Sequence, residues 1–252
     1  MILPEVGAEG QEKLLKAKVL VVGVGGLGSP AGYYLAAAGI GDLAIVDNDV
    51  VELSNLQRQI AHDTKKIGMP KVASAKDTFE ALNPDTKVTA IKERIVKDNI
   101  EGLIRDYDIV VDCSDNFATR FLINDACVLS KKRLVSGAIL RFEGQLTTIL
   151  PGDGHCYRCL FEEIPPADIV GSLQTAGLVG AVPGVIGALQ ALEVIKLIVG
   201  KGGVLKERLL IFDGLKTKFR RIKVRRNPEC PVCGNHPTIT TLNDGDYGAT
   251  QS

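Results

Sequence analysis

Short apolar runs alternate along the first half of the chain with stretches in which apolar residues recur at helical spacing. The runs are rich in Val and Ile and predict buried strands, and amphipathic stretches at 70–82 and 117–130 predict helices. The predicted strands are a run that begins at residue 18, then 42–47, 87–93, 107–113 and 133–139. Alternating strands and helices are typical of an α/β fold with a doubly wound, Rossmann-like, mostly parallel sheet.

The pattern changes after residue 140. "EGQLTTILPG" predicts a further strand, and "RLLIFDG" with "KFRRIKVRR" predicts a hairpin, so an antiparallel C-terminal part is expected after the parallel sheet. Residues 161–175 contain Gly and Pro and predict a long loop. The polar residues 241–252 predict a flexible tail.

These elements predict a single domain over residues 1–240. Its first half, with the predicted parallel strands, covers about 18–140, and the long loop, cysteine pairs and C-terminal strands cover about 141–236. The longest apolar run, 176–189, is interrupted by Pro183 and predicts a buried helix, not a membrane span.

Composition narrows the function classes. The 252 residues include 30 basic and 30 acidic ones, a balance that argues against nucleic acid or an anionic membrane as the main partner. The chain begins without a secretory signal pattern, and the cytoplasm is therefore expected. The six cysteines are then expected to be reduced thiols or metal ligands.

Glycines crowd the turn after the first strand, in "VVGVGGLGSP". Gly23, Gly25 and Gly28 follow G-x-G-x-x-G spacing, with Gly26 between them. Such a turn brings backbone N–H groups and a helix N-terminus close to phosphates. Asp47 closes the next strand 19 positions after Gly28, where a carboxylate binds ribose hydroxyls. The pattern alone is typical of a dehydrogenase and does not decide which nucleotide binds.

The segment after Asp47, "DNDVVELSNLQRQ", favours a triphosphate. It places Asp49, Asn55 and Arg58 beyond the carboxyl end of the second strand, and a planar guanidinium can bind two phosphate oxygens. Lys71 follows a proline that is suited to open a helix, so it falls in the first turn and opposes the helix dipole. A bound anion would remove that penalty, and an ordinary surface lysine is the alternative.

"VVDCSDN" ends the fourth predicted strand with carboxylates. Ligands of doubly wound sheets collect outside the carboxyl ends of the strands, and Mg²⁺ binds there through one or two carboxylates plus substrate phosphates. Asp115 is favoured for the metal over Asp112. The alternative is that Ser114, Asp115 or Asn116 caps the following helix, and both roles can hold together.

Two cysteine pairs stand 70 residues apart, as "CYRC" and "CPVC". Four thiolates in two C-x₂-C pairs are typical of a closed, structural Zn²⁺ site, and two redox dithiols are the alternative. The predicted ligands are Cys156, Cys159, Cys230 and Cys233. The other histidines and cysteines of these regions are interpreted as bystanders or packing residues: His155, His236, Cys113 and Cys127.

In this order the motifs resemble those of the MoeB/ThiF/HesA adenylyltransferases, relatives of the adenylation domains of ubiquitin-activating enzymes. The motifs are "GVGGLGSP", "DNDVVELSNLQRQ", "MPKV", "DCSDN" and the cysteine pairs, and the resemblance covers about residues 3–236. It is greatest to the molybdopterin-synthase branch, with the thiamine-pathway branch second.

The resemblance implies a reaction. ATP and Mg²⁺ would activate the C-terminal glycine carboxylate of a small ubiquitin-like sulfur-carrier protein that ends in Gly-Gly, giving an acyl-adenylate and pyrophosphate. The product would serve sulfur transfer in molybdenum cofactor or thiamine biosynthesis. The resemblance also implies a homodimer, and because no rhodanese-like domain follows, a separate sulfur donor protein is expected.

The resemblance also implies residue roles. Arg58 and Lys71 would contact the phosphates as catalytic residues, and Asp115, with Asn116 beside it, would hold Mg²⁺. The full predicted nucleotide site is Gly25, Gly26, Asp47, Asp49, Ser54, Asn55, Leu56, Gln57, Arg58, Lys71, Asp115 and Asn116.

Two features depart from the family pattern. Many members carry an arginine in an arm before "LPEVG", whereas this chain begins "MILPEVG", so either the start site is misassigned or one phosphate contact is missing. Several relatives carry a loop cysteine where Leu173 stands, so no covalent thioester or persulfide is expected there. The alternatives from other classes are an NAD-dependent oxidoreductase and a non-catalytic module that binds a ubiquitin-like tail.

Overall fold

The computed structural model describes residues 3–165, 177–243, 245 and 247. The strands are β1 (Lys18–Val22), β2 (Asp42–Val46), β3 (Lys87–Ile91), β4 (Ile109–Asp112), β5 (Arg133–Leu140), β6 (Glu143–Ile149), β7 (Arg208–Asp213) and β8 (Lys218–Lys223). The helices are α1 (Gly7–Lys16), α2 (Gly28–Ala37), α3 (Lys71–Leu82), α4 (Lys97–Ile104), α5 (Phe117–Leu129) and α6 (Ala181–Val199).

These strands form a sheet in the order β3-β2-β1-β4-β5-β6-β7-β8. The pairs from β3 to β5 are parallel, and those from β5 to β8 are antiparallel. The predicted α/β class, with a parallel half and an antiparallel C-terminal part, is confirmed. The strand order reverses beside β1, and the carboxyl ends of β1, β2 and β4 therefore meet at one edge.

The apolar runs of the parallel strands are continuous because both faces of the sheet are buried. Val19 and Val21 of β1 point into a core shared with α2, α3 and α6. Leu20 and Val22, the alternate residues, point into a second core with α4 and α5. The cysteines of both C-x₂-C pairs lie in or against this second core.

Helix α6 confirms the predicted buried helix and extends beyond it to Val199. Over an 18-residue window its mean hydropathy is 1.8, so by length and composition alone it could cross a membrane. Half of that window is buried inside the protein, where α6 packs against α2 and β5. Such packing is typical of a core helix.

Some sequence predictions extend past the described residues. Residues 166–175 of the predicted long loop, including Leu173, lie outside the described part. The division into a 1–240 domain and a 241–252 tail stays a prediction, although within that tail Tyr247 is buried against the second core. Helices α1 and α4 have no counterpart among the predicted helices.

The contact between α6 and α2 requires glycine. A Cβ on Gly187 would lie 2.4 Å from the Leu27 carbonyl oxygen and 2.6 Å from Pro30 Cγ. Overpacking of this kind typically costs about 1–3 kcal/mol, so Gly187→Ala is expected to lower the free energy of unfolding by that amount. Chemical denaturation would measure it.

Gly184 in the same helix provides the matched control, because a Cβ there meets nothing within 4 Å. Gly184→Ala is expected to be neutral or to stabilise the protein by up to about 1 kcal/mol through helix propensity. Equal effects of the two substitutions would contradict the close packing of α6 on α2.

Candidate functional site

The glycine turn between β1 and α2 is shaped by two backbone approaches. Gly23 has a φ of +85°, and a Cβ on Gly28 would lie 1.9 Å from the Gly23 carbonyl oxygen. A Cβ on Gly23 itself would lie 2.9 Å from the Cys113 carbonyl oxygen. Only glycine fits such distances, and the turn is therefore closed against the segment that follows β4.

Asp47 fastens the glycine turn to the end of β2. Its Oδ2 accepts a hydrogen bond from the Val24 N–H at 2.8 Å, and its Oδ1 accepts one from the Asp49 N–H at 2.9 Å. Burial raises the pKa of Asp47, and these backbone donors oppose the rise. Each carboxylate oxygen has two lone pairs, so acceptor capacity is left for ribose hydroxyls.

Arg58 lies over the glycine turn. Its Cγ is 3.6 Å from the position that a Cβ on Gly26 would take, and its Nη1 donates to the Ser54 carbonyl oxygen at 3.2 Å. Within the described part of the chain no carboxylate pairs with Arg58. The guanidinium can therefore bind an anion at this turn.

The short segment before Arg58 is ordered by its own polar groups. Asn55 is buried, and its Oδ1 accepts a hydrogen bond from the Glu52 N–H at 3.2 Å. The Ser54 hydroxyl donates to Glu52 Oε2 at 3.2 Å. Leu56 is half-buried, and the exposed Gln57 abuts Gly180, where a Cβ would lie 2.1 Å from the Gln57 carbonyl oxygen. These contacts fix the loop that carries the guanidinium.

Lys71 stands at the start of α3, as predicted, but it is not a surface lysine. Its side chain is 8 % exposed, and its Nζ donates to Asp49 Oδ2 at 2.8 Å, while that aspartate is 59 % exposed. The Asp49 carboxylate is thus the anion that offsets the unfavourable position of Lys71 at the helix N-terminus, and it comes from the chain itself. Because Asp49 reaches into solvent, a phosphate can approach the same ammonium group.

The aspartate that ends β4 and the one three residues beyond it have different roles. Asp112 is buried, and its carboxylate accepts hydrogen bonds from the Ser114 N–H and hydroxyl and from the Ser136 hydroxyl. Asp115 is exposed and accepts only a 3.4 Å contact from Asn116 Nδ2 among the hydrogen bonds of the described residues. The donor set for a divalent cation therefore lies at Asp115.

Asn116 confirms the capping alternative. Its Oδ1 accepts a hydrogen bond from the Thr119 N–H at 2.9 Å at the start of α5. The cap holds the helix N-terminus directly behind Asp115 and does not remove that carboxylate from solvent.

His62 is a residue that the motifs did not single out. Its Nε2 is 3.1 Å from the Val24 carbonyl oxygen, and its Nδ1 is 2.8 Å from the Ser74 hydroxyl. A carbonyl can only accept, so Nε2 carries the proton and Nδ1 accepts from Ser74. The neutral ring thereby ties the glycine turn to α3. The sequence signal that could have pointed to His62 is its place four positions after Arg58.

The four paired cysteines come together as predicted. The Sγ atoms of Cys156 and Cys230 are 3.6 Å apart, those of Cys159 and Cys233 are 3.4 Å apart, and all four lie within 4.8 Å of one another. A tetrahedral site with Zn–S bonds of about 2.3 Å separates its sulfurs by roughly 3.8 Å. The four side chains therefore fit a Zn²⁺ ion.

The remaining histidines and cysteines stand outside this cluster. His155 is buried, and its Nε2 is 2.9 Å from the Thr147 hydroxyl, whereas His236 is exposed. Cys113 and Cys127 are buried in the two cores, and burial raises the pKa of both thiols. The packing role predicted for these cysteines is confirmed.

His62 makes the stability of the turn depend on pH. Burial lowers its pKa from 6.5 to about 4, with Lys71 and Lys66 adding repulsion and Asp63 opposing it. The folded protein therefore disfavours a proton that the unfolded chain accepts. We expect the contribution of His62 to be complete above pH 6.5 and to be lost as the pH falls from 6.5 towards 4.

His62→Gln is the matched variant, because a glutamine amide can donate to Val24 and accept from Ser74 without titrating. Chemical denaturation between pH 7 and pH 4 is expected to show a steeper loss of unfolding free energy in the unsubstituted protein than in this variant. Parallel losses in the two proteins would contradict the assigned neutral state.

Sequence comparisons find close relatives with adenylyltransferase names. The chain is 48% identical over 247 residues to the SAMP-activating enzyme E1 of Haloferax volcanii, covering 98% of this chain and 91% of that protein. It is 49% identical over 249 residues to the sulfur carrier protein adenylyltransferase of Thermus thermophilus, covering 97% and 92%. It is 50% identical over 245 residues to the adenylyltransferase and sulfurtransferase MOCS3 of Culex quinquefasciatus, but there it spans only 56% of the relative's length.

Solved structures show the same fold. The crystal structure of Escherichia coli MccB matches with a TM-score of 0.81 and 25% identity, over 93% of this chain and 69% of that one. The structure of MccB with ATP matches with a TM-score of 0.79 and 26% identity, over 89% and 69%. The ThiF family itself matches residues 1–232. The chain belongs to the ThiF family.

Proposed function

We propose that this chain is an adenylyltransferase that joins AMP to the C-terminal glycine carboxylate of a ubiquitin-like sulfur-carrier protein. The observation that carries the proposal is the charge arrangement at the carboxyl edge of the parallel strands. Arg58 lies at the glycine turn and has no carboxylate partner in the described chain. Lys71 contributes a buried ammonium at the start of α3, and Asp115 contributes an exposed carboxylate after β4. This set suits the phosphates of ATP better than a nicotinamide dinucleotide.

The reaction needs little acid–base chemistry. A carboxylate oxygen of the carrier attacks the α-phosphorus of ATP, the bond from that phosphorus to the bridging oxygen breaks, and pyrophosphate leaves with the electron pair. The attacking carboxylate is already ionised at neutral pH, so no general base is required. Catalysis then rests on positioning and on neutralising the phosphate charge.

Each site residue has a role in that scheme. Asp47 would bind the ribose hydroxyls, and the open backbone at Gly25 and Gly26 would let the nucleotide lie close to the turn. Arg58 would hold two phosphate oxygens, and the Lys71 ammonium would contribute a positive point charge to the phosphates. Asn55 and its neighbours would keep the Arg58 loop in place.

Asp115 fits a divalent cation because it is an exposed carboxylate whose only hydrogen bond among the described residues is a 3.4 Å contact from Asn116 Nδ2. When bound there with ATP, Mg²⁺ would reduce the negative charge that builds up on the phosphates. The chain's own contribution is to hold Asp115 three residues after the end of β4, in a segment whose Cys113 and Ser114 backbone lies against Gly23 of the glycine turn.

The finer assignment follows the family resemblance. We place the protein in the cytoplasm as a homodimer, with a carrier that serves molybdenum cofactor or thiamine biosynthesis and with a separate protein as sulfur donor. The relatives named sulfur carrier protein adenylyltransferase and SAMP-activating enzyme support this substrate class.

The four cysteines would hold a structural zinc. A closed Cys₄ site leaves no open position for a substrate, so its effect is on stability. It would join Cys156 to Cys230, 74 positions later in the chain, and it would fix the C-terminal segment to the face that carries α5.

ATP–pyrophosphate exchange with a Gly-Gly carrier tests the proposed activity. Arg58→Ala and Lys71→Ala are each expected to reduce exchange by roughly a hundredfold or more, by analogy with the loss of a single oxyanion donor. Lys65→Ala, on the exposed turn nearby, is the control and should retain the full rate. Undiminished exchange in the first two variants would overturn the assigned phosphate contacts, and NAD binding without exchange would favour an oxidoreductase.

Metal analysis tests the cysteine site. The purified protein is expected to contain about one zinc per chain, and Cys159→Ser should lose most of it and unfold at a lower temperature. Cys127→Ala, a buried cysteine outside the cluster, should keep its zinc. Absence of metal from the unsubstituted protein, with the four thiols titrating as free, would refute the site.

A further inference from the structure

Asp49 is an acidic residue within a site that is proposed to hold phosphates. Its Oδ2 accepts a hydrogen bond from the Lys71 ammonium group at 2.8 Å. The Lys71 side chain is 8 % exposed and the Asp49 side chain is 59 % exposed, so the carboxylate covers the solvent side of the ammonium group. A phosphate that approaches Lys71 from solvent therefore meets this carboxylate.

A second carboxylate stands near the same ammonium group. Burial raises the pKa of Asp47, the N–H groups of Val24 and Asp49 and the charge of Lys71 lower it, and the charge of Asp49 raises it. The three side chains therefore interact, and the acids in this group outnumber the base. Asp49 is the exposed acid of the two, whereas the Asp47 carboxylate is held by backbone N–H groups of the turn.

The main chain fixes Lys71 independently of the Asp49 carboxylate. The Lys71 N–H donates to the Asp49 carbonyl oxygen at 2.9 Å, and the Val51 N–H donates to the Met69 carbonyl oxygen at 2.9 Å. These bonds join the segment after β2 to the residues before α3 as a short antiparallel bridge. The carboxylate is thus not needed to bring Lys71 to the site, and its contact with the ammonium group has another consequence.

That consequence is electrostatic. A buried ammonium group is unfavourable without an anion, and the Asp49 carboxylate supplies one whenever no phosphate is bound. When a phosphate binds to Lys71, the same carboxylate becomes a like charge within a few ångströms of it, and like charges at such a distance repel each other. The carboxylate therefore stabilises the unliganded site and lowers its affinity for phosphates.

We propose that the Asp49 carboxylate is an internal competitor for phosphate at Lys71. It pairs with the ammonium group before ATP binds, and it weakens the binding of pyrophosphate, which leaves the reaction as a separate anion. No covalent bond changes in this role. The inference rests on the proposed adenylation, and it assigns Asp49 a function that limits phosphate affinity and favours product release.

Asp49→Asn tests the competition, because it removes the charge and keeps an amide oxygen that can accept from Lys71. Isothermal titration calorimetry is expected to show roughly tenfold tighter binding of pyrophosphate and of a non-hydrolysable ATP analogue, as for the loss of a partly screened like-charge contact. Adenosine, which has no phosphate, is expected to keep its affinity, measured by displacement of a fluorescent ATP analogue. Asp49→Ser also removes the charge and is expected to tighten pyrophosphate binding in the same direction.

Asp77→Asn is the matched control. Asp77 is 60 % exposed, lies further along α3 and is 4.0 Å from a lysine ammonium group, that of Lys66, so its substitution changes the net charge equally. Pyrophosphate affinity is expected to stay within about twofold in this variant, because exposed charges beyond the immediate contact are screened. Higher salt should also reduce the difference between Asp49→Asn and the unsubstituted protein, which a change in the fold of the site would not do.

The outcomes separate the proposal from its alternatives. Weaker binding of pyrophosphate by Asp49→Asn would show that the carboxylate positions Lys71, and weaker binding only in the presence of Mg²⁺ would make it a metal ligand. Either result overturns the proposal, as does an unchanged affinity or an equal change in adenosine affinity. Tighter pyrophosphate binding by a protein that catalyses no exchange with any Gly-Gly carrier would keep the competition and remove the adenylation.

Discussion

The close approach of the glycine turn to the end of β4 is the constraint on which the site depends. Because Gly28 and Gly23 have no side chains, the backbone of the turn comes within van der Waals contact of itself and of the segment after β4. That closure keeps the Val24 N–H within reach of the Asp47 carboxylate and holds the backbone of Cys113 and Ser114, just before Asp115, against the same turn. A side chain at either glycine would separate the groups of the proposed nucleotide site.

The charged groups near that turn divide into those that are fully hydrogen-bonded within the protein and those that remain open to a ligand. Asp112 is fully hydrogen-bonded and buried, so it stabilises the backbone and is removed from ligand chemistry. Asp115 is exposed, and Lys71 shares its charge with an aspartate that extends into solvent. The polar groups that hold the loops are thus distinct from those that can meet phosphates, which allows the site to remain folded before a nucleotide arrives.

The cysteine cluster and the sheet are joined through buried polar contacts. Arg158, within the first cysteine pair, makes a bidentate contact with Asp125 of α5 in the core, and its guanidinium lies 4.7 Å from the Phe121 ring centroid. Asn124 of the same helix accepts from the Tyr157 N–H. Since α5 begins two residues after Asp115, the cysteine cluster and the proposed nucleotide site share one helix as their support.

The sequence by itself determined the elements and much of the chemistry. Val- and Ile-rich runs fixed β1, β2 and β4, whose residues are almost all buried, because a strand buried on both faces must be apolar throughout. The C-x₂-C spacing fixed the four thiols as one cluster. Only the tertiary structure decided which neighbouring groups remain available. It buried Lys71 against Asp49, saturated Asp112 while leaving Asp115 exposed, brought His62 under the Val24 carbonyl and left Arg120 Nε without a partner. Spacing along the chain determines where helices and strands begin and end. Whether a polar group finds a hydrogen-bond partner depends on contacts between residues far apart in sequence, and only the packed fold creates those contacts.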